Sequence, residues 1–259
     1  MTPAPPAARR GVRRVLASPR IRTLREPWRR RYAVRRRVLL WRLRRAAPLE
    51  RGVALERLGS AYGGWTIPRG AVGPESVCFC AGAGIDVSFD VALAERLGCR
   101  VVTIDPTQEA AAHFARVAGH LARARFVPVA AWSTDGELEM FMAADPAHRT
   151  LSSDDLQATG RSVTVPCRTL PSLMRELGHA RVDLLKLDVE GAEYELLDQV
   201  DELGVSVLCV EMHPTRGVRA GERAFRALHA AGFRLVAETD GDFTFRRAPA
   251  RHESEPHAR

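Results

Sequence analysis

Lysine is nearly absent from this sequence: Lys186 is the single example among 39 basic residues. So extreme a preference for arginine reflects GC-rich coding, and an arginine by itself therefore carries little functional information. No apolar run approaches the roughly 20 residues that a membrane helix needs. The opening stretch MTPAPPAARRGVRRVLASPR has charge but no apolar core of about 7–15 residues, so it does not read as a secretory signal. Cysteine is scarce and odd in number: Cys78, Cys80, Cys99, Cys167 and Cys209. Each lies in or beside an apolar, strand-like run, which predicts buried reduced thiols and a cytoplasmic protein. Cys78 and Cys80 are one residue apart and no second pair completes a site, which excludes zinc-finger spacing. No internal repeat is visible.

What is present is charge of two signs in two places. Residues 1–48 hold sixteen arginines and one acid, Glu26. The remaining chain has 23 basic and 30 acidic residues. A mildly acidic domain is thus expected to carry a strongly basic arm, despite a formal net charge of +8 for the whole. Within the arm, RYAVRRRVLLWRLRR places Val34, Val38, Leu39, Trp41 and Leu43 in an imperfect helical stripe. Such a stripe suits docking on the domain, on another protein or on an anionic surface. No aromatic-basic platform or recognition-helix motif points to nucleic acid.

The chain is 46% hydrophobic over 259 residues, enough for one α/β domain with a real core. Residues 49–75 read as a short helix, a glycine break and an extended piece at Trp65–Ile67. From Ser76, short apolar strands alternate with amphipathic helices: SVCFC, DVSFDVALAERLG, CRVVTID, PTQEAAAHFARVAGHL, RFVPVAAW. STDGELEMFMA predicts a hairpin arm turning at Asp135-Gly136, and the polar residues 144–160 a surface loop. SVTVPCRTL and LPSLMRELG follow as strand and helix. Then come a strand at Val182–Leu187, a turn and helix, the strand VSVLCVEMH, a helix, and a closing hairpin around Asp240-Gly241. The strands are continuous rather than alternating, as parallel strands covered on both faces should be. The predicted fold is an α/β, doubly wound, Rossmann-like sheet over 76–248 with a C-terminal antiparallel β-hairpin. Residues 249–259 read as a polar, disordered tail.

In such sheets ligands bind at the carboxyl ends of the strands. The first strand runs into Gly82 and Gly84, which let backbone approach a ligand without a Cβ. The second ends at Asp105, 21 residues after Gly84, where a carboxylate can accept both hydroxyls of a ribose. The loop continues Ile85-Asp86-Val87. Valine stands where the dinucleotide fingerprint has its third glycine, and Asp86 would repel a pyrophosphate. A carboxylate there suits a cofactor carrying an ammonium and a sulfonium. Asp86 is equally placed to cap the following helix. A nicotinamide-dependent oxidoreductase is the rival enzymatic reading. A non-catalytic cofactor-binding protein, docked through its basic arm, is the rival outside catalysis.

A second informative stretch is VDLLKLDVEGAEYELL. It puts Asp188 and Glu190 just past a central strand, and Glu193 and Tyr194 in the first turn of the next helix. Lys186 interrupts an otherwise apolar strand, so it must reach the strand's end or pair with a carboxylate. DLLKLDVEGAEYELL resembles the signature of FkbM-type S-adenosylmethionine-dependent methyltransferases. GAGIDVSFD, TIDPTQEA, TLPSLMRELG and LCVEMH agree with that family in order, over about residues 62–247. Cys80-Ala81-Gly82 stands where many members have Asp-x-Gly.

The resemblance implies a class I methyltransferase sheet. It also implies S-adenosylmethionine held around Gly82, Gly84, Asp86 and Asp105, and a methyl-transfer site lined by Asp188 and Glu190. Glu211 and His213, two apart on the neighbouring strand, face the same way and would join that edge. The expected reaction is O-methylation of a hydroxyl on a sugar or natural-product small molecule. His213, whose ordinary pKa lies near neutrality, or Asp188 would be the base. No metal is assigned, although the same groups are types that bind Mg²⁺ or Mn²⁺.

Overall fold

The computed structural model describes residues 19–142, 151–154 and 159–248. Most of the loop expected at 144–160, the tail expected at 249–259 and residues 1–18 lie outside them. Along the chain, helix α1 (Pro19–Ala46) precedes strands β1 (Leu55–Leu58) and β2 (Trp65–Pro68). Two βα steps follow: β3 (Val77–Ala81), α2 (Ser88–Arg96), β4 (Arg100–Ile104), α3 (Gln108–Val117) and β5 (Ala124–Val127). Next come β6 (Ala130–Ala131), β7 (Gly136–Met142), β8 (Leu151–Ser152) and β9 (Ser162–Arg168). The chain then runs through α4 (Leu170–Glu176), β10 (Leu184–Leu187), α5 (Glu193–Leu197), β11 (Val207–Glu211) and α6 (Val218–Ala230). It closes with β12 (Phe233–Thr239) and β13 (Asp242–Arg247).

Seven strands form the central sheet in the order β12-β13-β11-β10-β3-β4-β5. Strands β11, β10, β3, β4 and β5 are parallel, while β13 runs antiparallel to both β11 and β12. The predicted doubly wound sheet with its antiparallel terminal hairpin is what forms. Every residue of β3 and β10 is buried, which explains their apolar sequence, broken only by Lys186 in β10. Helices α3 and α4 start where threonine hydroxyls cap them. The side chain of Thr107 accepts from the backbone N–H of Ala110, and that of Thr169 from Ser172. The chain order reverses between β3 and β10, so the switch point of the sheet lies at their carboxyl ends.

Three expectations are corrected. The segment read as a short helix before the glycine break is strand β1, paired antiparallel with β2. The return between them is too tight for side chains: a Cβ on Gly64 would lie 2.3 Å from the Ser60 carbonyl oxygen. Leu58, Trp65 and Ile67 on this hairpin are buried against the α2 side of the sheet. Asp135-Gly136 does not turn a hairpin either. Strand β9 lies between β6 and β7, parallel to the first and antiparallel to the second. The reading RFVPVAAW as one strand also breaks at Pro128, which has no N–H for a ladder and separates β5 from β6.

The basic segment is in part a structural element. Leu39 and Leu43 of α1 have no exposed surface and Leu40 little, and all three belong to the main core. Burying each stabilises the fold by about 1.5–3 kcal/mol. They seat on Gly221 of α6, where a Cβ would lie 2.7 Å from Leu39 Cδ1. Ion pairs flank the seat: Arg42 with Glu222 at 3.0 Å and Arg44 with Glu238 at 2.8 Å. Among the described residues no helix is long and apolar enough to cross a membrane.

Candidate functional site

The loop after β3 is fastened from three sides. Gly82, at φ +82°, donates its N–H to the Ile104 carbonyl at 2.9 Å, and a Cβ there would stand 1.7 Å from the Asp188 carbonyl oxygen. Gly82 therefore serves the close approach of two strand ends. Gly84, at φ +52°, has open space where its Cβ would be. Asp105 is buried at the end of β4. Its Oδ2 accepts from the N–H groups of Ala83 (2.9 Å) and Gly84 (3.1 Å), and its Oδ1 from the N–H and hydroxyl of Thr107 (2.8 and 2.6 Å). Those bonds use the acceptor capacity of the carboxylate. A ribose diol at Asp105 would have to take over some of them.

Asp86 is held by two serines. It accepts from the Ser60 hydroxyl at 2.6 Å and from the Ser88 N–H at 2.9 Å. Its carboxyl is partly desolvated, yet these bonds hold its pKa below the ordinary value. Asp86 thus latches the β1–β2 turn onto the loop and orders the entry to α2. Beside it, Tyr62 and Ile85 are 85% and 72% exposed, an apolar rim at the glycine loop.

Lys186 both reaches the strand's end and pairs with a carboxylate. Its ammonium donates to the Gly82 carbonyl and lies 3.3 Å from Asp188 Oδ2. Burial opposes its charge, but Asp188 and Asp90 outweigh that and raise its pKa. Asp90 is buried, accepts from the Thr103 hydroxyl at 2.5 Å, and has its pKa raised by burial. Cys80 neighbours Lys186 in register and is buried beside Asp90, and burial pushes its thiol pKa well up. It packs inside the sheet's α2 layer rather than at the ligand edge.

Asp188, Glu190, Glu211 and His213 do converge at the carboxyl ends of β10 and β11. His213 Nε2 lies 3.5 Å from Glu190 Oε2 and 3.8 Å from Glu211 Oε1. Its Nδ1 lies 2.8 Å from Glu193 Oε1. Burial alone would lower the imidazole pKa, but the hydrogen bond to Glu193 and the charges of Glu193, Glu190 and Glu211 carry it up to about 10. This corrects the expectation of a neutral base at His213: near neutral pH it is an imidazolium. Burial, the Asp188 charge and the hydrogen bond with Asp188 push Glu211 up to about 8, against the pull of His213. Burial also raises Glu190, while Lys186 and the bond with Glu211 hold Asp188 low despite its own burial. Glu190 sits at φ +49°, a left-handed conformation rare outside glycine, and its carbonyl accepts from the Ser152 hydroxyl at 2.7 Å.

Several neighbours escaped sequence reasoning. Glu193, read as a helix-start acid, has no exposed surface and is the main partner of His213. Tyr32 and Arg36 reach the cluster from α1. Arg36 lies 3.8 Å from Glu211, and burial with the charges of Glu190 and Glu211 pushes the Tyr32 phenol up to about 12. Asp242, opposite Glu211 in register, is raised to about 6 by burial and by Asp188. The i, i+4 spacing of Tyr32 and Arg36 on the face that carries Leu39 and Leu43 was the available signal. Among the described residues no group of three or more His, Cys, Asp or Glu is arranged to hold a metal ion. The open space at Gly84, the apolar rim and this carboxylate-rich edge fit a ligand with an apolar part and positive charge.

The chain matches no curated protein sequence. Among solved structures it is similar to the Methanococcus jannaschii fibrillarin pre-rRNA processing protein: 10% identity, TM-score 0.42, 68% of this chain and 67% of that one. It is also similar to monomeric WbdD, with 15% identity, TM-score 0.37, 67% of this chain and 36% of that one. M. capricolum TrmK, solved with S-adenosyl-homocysteine, gives 6% identity, TM-score 0.35, 68% of this chain and 64% of that one. The chain thus spans about two thirds of the first and third proteins and about a third of the second. A family model, the methyltransferase FkbM domain, matches residues 81–235. The strand order is that of class I methyltransferases, and the cofactor of the family is S-adenosylmethionine. The chain belongs to the FkbM methyltransferase family.

Proposed function

We propose that the protein methylates a hydroxyl group on a small molecule, a sugar or natural-product alcohol, with Glu190 taking the hydroxyl proton. One observation carries this reading. Asp188, Glu190 and Glu211 gather at the switch point, and the Asp188 backbone abuts Gly82 of the glycine loop. The acids thus stand next to the place where the cofactor would lie.

When bound, S-adenosylmethionine supplies an electrophilic methyl group on a sulfonium. Gly84, the Asp105 edge and the Tyr62–Ile85 rim would hold it, and the acidic edge suits its positive charge. Aligning acceptor and methyl group can supply up to about 7–11 kcal/mol of the barrier. Glu190 is 41% exposed at its side chain, and burial raises its pKa above the ordinary value, which makes it a stronger base than a free carboxylate. His213 behind it keeps its proton and serves as a fixed positive charge. Asp188, paired with Lys186, keeps its charge and faces the same edge. The Asp86 carboxylate, held ionised beside the glycine loop, disfavours a pyrophosphate and with it the nicotinamide reading. The five buried free cysteines support residence in a reducing compartment such as the cytoplasm.

The test is turnover with S-adenosylmethionine across a panel of polyhydroxylated acceptors, read as S-adenosylhomocysteine released. Glu190→Gln is expected to lower kcat by about 10²–10⁴-fold while S-adenosylhomocysteine still binds. Full turnover in both Glu190→Gln and Asp188→Asn contradicts the assignment.

A further inference from the structure

Over residues 31–46 helix α1 has two faces, and the described side chains pack into the fold from one of them. Leu39 and Leu43 point into the core. Val34, Val38 and Trp41, at i, i+4 and i+7, form a line about half a turn away from them. They are 62%, 43% and 54% exposed, and the Arg45 guanidinium lies 5.0 Å from the centre of the Trp41 ring. Arg31 and Arg35 flank the line on one side and Arg37 on the other. None of these three is ion-paired among the described residues, whereas Arg36, Arg42 and Arg44 are tied to the domain. Residues 1–30 add nine further arginines against Glu26 alone.

We infer that this outer face of α1 is a docking surface for an anionic lipid bilayer, on which the helix lies parallel to the membrane plane. An apolar centre with a tryptophan, bordered by arginines, matches the layering of acyl chains and phosphates at such an interface. The basic segment supplies the attraction to anionic headgroups that three apolar residues lack by themselves. A nucleic-acid face would set its arginines at the centre and leave Val34 and Val38 without use. The inference is independent of the acceptor and of the residues proposed for methyl transfer.

Flotation of the full-length protein with vesicles tests it. Binding is expected to phosphatidylglycerol–phosphatidylcholine vesicles and not to phosphatidylcholine alone, and it should weaken as salt rises. A vesicle-induced blue shift of tryptophan emission should shrink in Trp41→Phe. Arg31→Gln, Arg35→Gln and Arg37→Gln are each expected to lower vesicle affinity by about fivefold. Val38→Ser with Trp41→Ser should abolish flotation while S-adenosylhomocysteine binding and the melting temperature stay unchanged, since both side chains are exposed. The inference is overturned by vesicle binding that ignores lipid charge or is absent, by binding insensitive to both sets of variants, or by a Trp41-dependent dimer in solution. Tighter binding to a single-stranded oligonucleotide that survives Trp41→Ser reassigns the arginine face to nucleic acid and overturns it too.

Discussion

The Nδ1 atom of His213 lies 2.8 Å from Oε1 of Glu193, a carboxylate with no exposed surface. The same oxygen accepts the Gly191 N–H at 3.0 Å, so one acid fixes both the imidazolium and the turn that presents Glu190. Glu193→Ala should lower stability by about 3–5 kcal/mol, because it leaves a buried charge without its main partner. Glu193→Gln should keep more of the fold but let the His213 pKa fall well below about 10. Denaturant unfolding and an NMR titration of the imidazole check the two effects.

Stability should decline as pH rises above neutral. The folded-state pKa of His213, about 10, exceeds its ordinary 6.5, so its contribution is complete below 6.5 and is lost as pH rises through about 10. Glu211 acts in the same direction. Its folded value of about 8 exceeds 4.5, so ionising it in the fold is unfavourable and stability drops between those values. Glu193, Glu190 and Glu211 set the His213 value against burial, burial with Asp188, Asp242 and His213 sets that of Glu211, and Tyr32 and Arg36 face the same cluster. The unfolding midpoint is expected to fall from pH 7 to about pH 10, and His213→Gln should flatten the upper part of that fall.

Two glycines of one loop should respond unequally. Gly82→Ala drives a Cβ to 1.7 Å from the Asp188 carbonyl and adds left-handed strain, so strand ends must separate. It should greatly destabilise the protein and abolish S-adenosylhomocysteine binding. Gly84→Ala meets open space and carries only the strain, about 1–2 kcal/mol. Melting curves and calorimetry on both variants test the order.

Asp86 is expected to act through Ser60. If its carboxylate latches the β1–β2 turn, Ser60→Ala and Asp86→Ala should weaken S-adenosylhomocysteine binding by similar factors, and the double variant by little more than either alone. Additive losses would mean that Asp86 contacts the ligand directly.

The sheet was readable because its signals are local. Apolar runs mark β3, β4, β11 and, apart from Lys186, β10, while Gly82 and Gly84 mark the turn after β3. The insertion of β9 between β6 and β7 is a pairing over long sequence distance, and no local pattern encodes it. The gathering of Asp188, Glu190, Glu211 and His213 followed from strand ends. The charge of His213 did not, because it depends on Glu193, whose burial comes from tertiary packing. Leu39 and Leu43 announced a docking face on α1, but an arginine-rich segment disguised it as an accessory arm. Cys80, in the position of an expected acid, proves to pack beside Lys186 and Asp90.

The central claim is that this edge takes a sulfonium cofactor and not a dinucleotide. Titration calorimetry of the full-length protein with S-adenosylhomocysteine and, separately, with NAD⁺ tests it most directly. Saturable one-to-one binding of S-adenosylhomocysteine with no saturable heat from NAD⁺ is the predicted result. Saturable binding of NAD⁺, with none of S-adenosylhomocysteine, would contradict the account.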